Sequence, residues 1–196
     1  IPNKLARGLS ETRSKLIGML TADMRNPYYS QVIVECERCA NELGYTLLAC
    51  NTFAEKKMEY SILDKLYEQQ VDAIVQVGGS VDELVTDSDY ADRINRISSR
   101  IPVIISGRLD GTDCHQILID QSQAMDLLMK HIISSGHKEI ALLGGRSNVR
   151  STVEKRARYK QQLYHYGLEY KEEYIVETDH YDDEGEEQTD SGGFCF

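Results

Sequence analysis

Short, almost wholly apolar runs recur along this chain, and nearly every one is followed by a stretch whose apolar residues return every three to four positions. The runs lie at residues 16–21, 46–50, 73–77, 103–106, 117–119, 140–143 and 174–177. A strand that is apolar on both faces has to be covered on both faces. Parallel neighbours, in turn, can be joined only by a long crossover, usually a helix. The alternation therefore predicts an α/β fold built on a parallel sheet.

The helical stretches carry clear stripes. Over 29–43 the inward face reads Val32, Ile33, Cys36, Cys39, Ala40 and Leu43, with Gly44 as the stop; over 55–70 it reads Met58, Ile62, Leu63 and Leu66. A more polar helix is expected over 82–99, broken near Asp87-Ser88-Asp89. Residues 123–135 place Met125, Leu128, Met129, Ile132 and Ile133 inward, and a last helix spans 153–166 up to Gly167.

With 41% hydrophobic and 28% charged residues among 196, the composition is that of a soluble globular chain. No apolar run reaches the roughly 20 residues needed to span a bilayer, and no membrane partner is expected. Five cysteines, Cys36, Cys39, Cys50, Cys114 and Cys195, form no regular framework. Cys36-Glu37-Arg38-Cys39 is formally a CxxC, but it lies mid-helix with no second Cys or His pair at zinc-like spacing, which favours a structural role. Free thiols suit a reducing cytoplasm. The net charge of −10 is unevenly spread. Lys4, Arg7, Arg13 and Lys15 outweigh Glu11 at the start, whereas residues 169–190 hold eleven acids against Lys171. A basic head on an acidic body leaves only the head as a nucleic-acid surface.

That head reads Ile1-Pro2-Asn3-Lys4-Leu5-Ala6-Arg7-Gly8-Leu9. So short a helix is marginal in water, and Gly8 costs about 1 kcal/mol against helix relative to Ala. It should order only against a template. With Asn3 as N-cap, Leu5, Ala6 and Leu9 share a face, and Lys4 and Arg7 can reach phosphates. An apolar residue on such a face suits insertion into the DNA minor groove. Sequence physics alone does not choose between this wedge and a frayed basic end.

The order of this head, the strand 16–21, then Asn26-Pro27-Tyr28-Tyr29 and a helix ending at Leu43-Gly44-Tyr45, closely resembles the lactose-repressor (LacI/GalR) family of bacterial transcriptional regulators. There, a PNxxARxL hinge peptide joins a helix-turn-helix headpiece to a core like a type I periplasmic binding protein. The resemblance implies residues 1–14 as hinge, 15–120 as the N-terminal effector-binding subdomain and 121–196 as an incomplete C-terminal one. It also implies a chain lacking the headpiece and ending early, since the glycine-rich segment 188–196 departs from the family pattern. Asn3, Lys4, Ala6, Arg7 and Leu9 become the DNA-contacting hinge, with Leu9 as the wedge. Partners implied are operator DNA, a small-molecule effector of sugar type and a second copy of the chain, in the cytoplasm.

Effector contacts are expected at the carboxyl ends of strands, where open α/β sheets bind ligands. Asp23, Asn26, Tyr28 and Tyr29 follow the first strand; aromatics there can stack on a sugar ring while carboxylate and amide hold its hydroxyls. Their plain alternative is an ordinary helix start. Arg108 and Asp120 follow later strands, Arg108 having a surface role as its alternative. Arg150 and Ser151 adjoin the Gly144-Gly145 turn, which lacks the GKS/GKT ending of an NTPase loop. Lys155 stands where relatives usually carry Arg, and Arg158 where they carry Gly, which opens the way to an altered effector. No metal-ligand spacing, nucleophile elbow or cofactor motif occurs, so neither an enzyme nor a cofactor is expected. Two alternatives remain: a periplasmic or extracellular sugar-binding protein of an ABC transporter, and a non-functional truncated product.

Overall fold

A computed structural model describes residues 13–178. The hinge positions Asn3, Lys4, Ala6, Arg7 and Leu9 and the segment 188–196 lie outside the described residues. Contacts divide the chain into two compact units. The first holds the residues up to Val81 together with Thr86–Leu118, and the second holds Asp82–Val85 with the chain from Ile119 onward. The sequence-based division at 120/121 falls two residues beyond this one, and nothing in the sequence marked Asp82–Val85 as part of the second unit.

In the first unit five strands pair in parallel: β1 Leu16–Thr21, β2 Thr46–Asn51, β3 Ala73–Val77, β4 Val103–Ser106 and β5 His115–Ile117, in the order β2-β1-β3-β4-β5. Helices α1 Pro27–Glu42, α2 Lys56–Glu68 and α3 Ser88–Ser98 make the crossovers. From α2, Ile62, Leu63 and Leu66 meet Tyr90, Ala91, Ile94 and Ile97 of α3, and Leu20, Ile74, Val103 and Ile105 of the sheet, in one buried cluster. These are the i, i+3, i+4 and period-2 positions that the amphipathic pattern assigns to a core. Gly18 in β1 leaves the space that the Leu66 side chain fills, since a Cβ there would overlap Leu66 Cδ1 and Cδ2.

In the second unit α4 Gln121–Ser134 packs on α5 Arg150–His165, and β6 Leu142–Leu143 pairs in parallel with β7 Ile175–Val176. Met125, Met129, Ile140, Tyr159 and Leu163 form its core. The Tyr159 hydroxyl donates to the Ile140 carbonyl at 2.6 Å, which satisfies the one polar atom this ring takes inside.

Several expectations are corrected. The fifth strand is not 117–119. Pairing with the short β4 runs Ile104↔His115 to Ser106↔Ile117, after which Leu118 and Ile119 leave the sheet, Leu118 being 66% exposed. The expected helix 82–99 begins only at Ser88, because the Asp87 side chain caps it by accepting from Tyr90 N. Residues Gly79–Asp82 form a separate 3-10 turn. The last helix starts at Arg150 rather than 153, which puts Arg150 and Ser151 on its first turn. In α1 the stripe is narrower than expected: Ala40 is buried, but Cys39 is exposed and Leu43 is 73% exposed. Met58 and Leu128, assigned inward, are also exposed.

Gly18→Val should destabilise the chain by roughly 1–3 kcal/mol through overpacking against Leu66, read as a lowered urea midpoint. Adding Leu66→Ala to that variant should recover part of the loss. An unchanged midpoint for Gly18→Val alone would remove the close approach as an explanation.

Candidate functional site

β1 is hydrogen-bonded to β2 on one side and to β3 on the other, with Thr21 level with both Asn51 and Val77. The chain order therefore reverses between β1 and β3, and a crevice opens at the carboxyl edge of such a switch point. Two segments border it: the loop from β1 to α1, and the turn after β3.

The first loop is held by its own side chains. Asp23 accepts from Arg25 N at 3.0 Å and from Arg25 Nη2 at 2.7 Å. The Ser30 hydroxyl donates to Met24 O at 2.6 Å. Asn26 caps α1 by accepting from Tyr28 N at 2.9 Å, and Pro27, which has no N–H to satisfy, fills the first helical turn. Tyr28 and Tyr29 meet edge to face, centroids 5.2 Å apart. Tyr28 is exposed and Tyr29 half-buried. At the end of β1 the Thr21 hydroxyl is buried without a hydrogen-bond partner among the described residues.

The second border is Gly78-Gly79-Ser80. Both glycines take positive φ, 76° and 70°, a region L side chains avoid. Space forbids a side chain as well. A Cβ on Gly78 would run into the Tyr29 hydroxyl, and one on Gly79 into Glu59 Oε1. This turn is thus gripped between a candidate ligand residue and a buried acid.

Glu59, on α2, is only 1% exposed. Its two carboxyl oxygens accept from Ser80 N at 3.2 and 3.3 Å, and Oε2 accepts from Gln76 Nε2 at 3.3 Å. The Tyr90 hydroxyl donates to Gln76 Oε1 at 2.7 Å. Gln76, Ser80 and Tyr90 are themselves buried. Burial pushes the Glu59 carboxyl above the usual range, against the opposing pull of its hydrogen bonds from Ser80, Tyr90 and Gln76. Burial, reinforced by the charge of Glu59, raises the Tyr90 phenol far above its ordinary value, which keeps it a donor. Sequence reasoning missed this network, although Glu59 lies three, four and seven residues before Ile62, Leu63 and Leu66, on the inward stripe.

Arg108 follows β4 in the same unit. Its N–H donates to Val81 O at 2.8 Å, and its half-exposed guanidinium meets Asp110 at 2.8 Å.

The remaining candidates belong to the second unit. Asp120 caps α4, accepting from Gln123 N at 2.8 Å. Ser151 donates from N and Oγ to Asp82, the hydroxyl at 2.6 Å, and Arg150 Nη2 reaches Leu84 O at 3.0 Å. Asp120, Ser151 and Arg150 therefore have structural work. Lys155 is exposed on α5. Its neighbour Arg156, not singled out from sequence, reaches Gly145 O at 2.9 Å and Glu177 at 2.5 Å, at the carboxyl ends of β6 and β7. Hydrogen bonding to Arg156 lowers the Glu177 carboxyl. Arg158 forks onto Asp126 of α4 at 2.5 and 2.6 Å, joining the two helices. Among the described residues no cluster of three His, Cys, Asp or Glu could hold a metal. No described helix is long and apolar enough to cross a membrane.

The raised Glu59 carboxyl has a definite consequence for stability. The folded chain keeps that proton at a pH where the unfolded chain has lost it. The contribution is therefore complete below the ordinary glutamate range and declines as pH rises through the folded value. Glu59→Gln, which cannot ionise, should escape this decline. Its melting temperature relative to wild type should climb as pH rises above the ordinary glutamate value of about 4. A difference that stays flat, or falls, as pH rises would contradict a carboxyl whose pKa burial raises.

Comparison with known proteins agrees with this geometry. The family model described as periplasmic binding proteins and sugar binding domain of LacI family matches residues 14–189. Catabolite control protein A of Priestia megaterium is 28% identical over 186 residues, covering 94% of this chain and 54% of that protein. This chain thus spans about half the length of that curated relative. The solved transcription regulator CcpA of Lactococcus lactis superposes with a TM-score of 0.72 at 23% identity, covering 92% of this chain and 66% of the other. A periplasmic binding protein/LacI transcriptional regulator from Alkaliphilus metalliredigens QYMF, solved with D-xylulofuranose, gives 0.69 at 24% identity over 87% and 59%. On the family match, with a parallel sheet of order β2-β1-β3-β4-β5 beneath it, this chain belongs to the family of periplasmic binding proteins and LacI-type sugar-binding domains.

Proposed function

We propose that this chain is the ligand-sensing part of a cytoplasmic transcription regulator of the lactose-repressor type, in which a small molecule of the sugar class alters operator binding. The observation that carries the ligand half is the crevice at the β1/β3 switch point. An edge-to-face tyrosine pair and the Asp23 carboxylate follow β1 at that edge, and the Tyr29 hydroxyl abuts the turn after β3. Flat aromatic faces, a carboxylate acceptor and a hydroxyl are the groups that hold a polyhydroxylated ring. Asp23, Tyr28, Tyr29 and Arg108 are the residues proposed to contact it from the first unit, with Asn26 shaping the loop as the cap of α1. In the second unit, taken by itself, Lys155, Asp120, Arg150 and Ser151 are proposed as effector residues, the last three also holding local backbone.

The regulator half is supported by the Pro2-Asn3 and Ala6-Arg7-x-Leu9 pattern and by the curated relative being a catabolite control protein. In this reading Asn3, Lys4, Ala6, Arg7 and Leu9 meet DNA as one of a pair of hinge helices, so the working form is a homodimer. Effector binding then shifts DNA affinity by a coupling free energy of about 1–3 kcal/mol. The role is regulation rather than catalysis. The second reading, a sugar-binding protein serving transport, draws on the family description itself, which covers both kinds of protein.

A thermal-shift screen with D-xylulose, D-ribose, D-glucose, cellobiose and sugar phosphates should return at least one ligand that raises the melting temperature. Calorimetry with that ligand should show Arg108→Ala weakening binding by about tenfold, the scale of one lost hydrogen bond to a charged group. Unchanged affinity would remove Arg108 from the site, and a screen without any stabilising sugar would end the sugar reading. Deleting the gene should change transcript levels. A deletion that alters only uptake of a sugar would favour transport.

A further inference from the structure

We propose that Glu59 is a positioning residue for ligand binding at the β1/β3 crevice, acting through the Gly78–Ser80 turn on Tyr29. This rests on the reading of that crevice as the ligand surface.

The contacts run in one line. Glu59 holds the Ser80 N–H with both carboxyl oxygens and so fixes where the turn leaves β3. Gly79 lies so close to the carboxyl, and Gly78 so close to the Tyr29 hydroxyl, that neither position has room for a Cβ. A displacement of the carboxyl therefore passes through a backbone with no slack to the aromatic ring at the crevice. Interiors this close-packed move between discrete arrangements rather than yielding gradually.

The choice of residue type also points away from a purely structural role. Positions 62, 63 and 66 of the same stripe are Ile, Leu and Leu, and an apolar residue at 59 would fill a core more cheaply than a carboxyl. What an apolar residue lacks is an acceptor for the Ser80 N–H. The groups facing Glu59 are Gln76 from β3, Ser80 from the turn and Tyr90 from α3. Tyr60 stands edge-on to Tyr90 at 5.3 Å. Of the charged groups around Tyr60, Lys56 is paired with Asp87 and Arg93 with Asp64, while Asp89 lies at the start of α3. The ion pairs leave Glu59 as the buried titrating group in contact with the turn.

The test uses the full chain, with amide and tyrosine-ring NMR as the first readout. Glu59→Ala should shift the Gly78, Gly79 and Ser80 amides together with the Tyr29 ring, and Glu59→Gln should leave them near their wild-type positions. In wild type these signals should move together with pH, and in Glu59→Gln they should not. The second readout is calorimetry with D-xylulose, D-ribose, D-glucose and cellobiose as probes. Glu59→Ala should weaken whichever of them binds wild type by about tenfold, and Glu59→Gln by less than about threefold. A Tyr29 ring unmoved in Glu59→Ala, or a Glu59→Gln variant as impaired as Glu59→Ala, overturns the proposal. Should Glu59→Ala fail to fold, the wild-type and Glu59→Gln pH titrations decide the same point. If the ring follows Glu59 but none of the probes binds wild type, the sugar reading of the crevice fails and takes the ligand-positioning role with it. The NMR result separates that case from a failure of the coupling itself.

Discussion

Everything in the first unit follows from β1 being paired in parallel on both edges. A strand in that position has water on neither face, which is why Met19 and Leu20 are both fully buried although they point to opposite sides. Parallel pairing forbids short hairpins, so α1, α2 and α3 are obligatory, and each must present an apolar stripe to the sheet. The same arrangement aligns all carboxyl ends on one edge. Because β2 and β3 flank β1, connections leave that edge in opposite directions and cannot close over it. The crevice is therefore a consequence of the pairing order, and its rim is built from loops rather than from the sheet itself.

The polar group under that rim is instructive. Glu59, Gln76 and Tyr90 replace what could have been apolar packing between α2, α3 and β3. Such a network gains little over hydrophobic residues of the same volume, but breaking one member strands the others in a medium that cannot solvate them. Its value lies in direction. An apolar contact tolerates sliding, whereas a carboxyl gripping one N–H with both oxygens fixes the turn in orientation as well as place. The two glycines at positive φ extend that constraint, since the turn has neither side chains to adjust nor space to move into.

How much of this was legible in the sequence depended on how strongly local chemistry agreed with tertiary demand. β1, β3 and β4 were read to the residue, because apolar runs bounded by polar turns have one stable use in a parallel sheet. The segment 117–119 misled for the same reason: Ile117-Leu118-Ile119 looks like a buried strand, yet pairing with the four-residue β4 is exhausted by Ile117. Helix stripes gave the inward direction but not the width of the contact, so Leu43 and Leu128 were placed inside and are exposed. Asn26 and Asp120, read as ligand groups, also cap helices, because the same short polar side chains serve both purposes, and only geometry shows the backbone N–H each accepts from. Glu59 stood on the apolar stripe in plain view. A charge at a core position is read as a break in the pattern unless its partners, twenty residues away in sequence, are known.

The second unit shows how residue changes on one helix redistribute charge. The family resemblance places Arg at 155 and Gly at 158; this chain has Lys and Arg. A glycine at 158 would leave α4 and α5 joined only by apolar contact and by what Gln162 can reach. Arg158 instead forks onto Asp126 and, through that hydrogen bonding, lowers its carboxyl, which keeps the pair charged over the ordinary range. The guanidinium at the sheet edge is supplied one residue along, by Arg156, and is already engaged by Gly145 O and Glu177. Lys155 is left exposed with a compact, freely rotating ammonium where relatives present a planar fork. An ammonium cannot hold two adjacent hydroxyls in one plane as a guanidinium does.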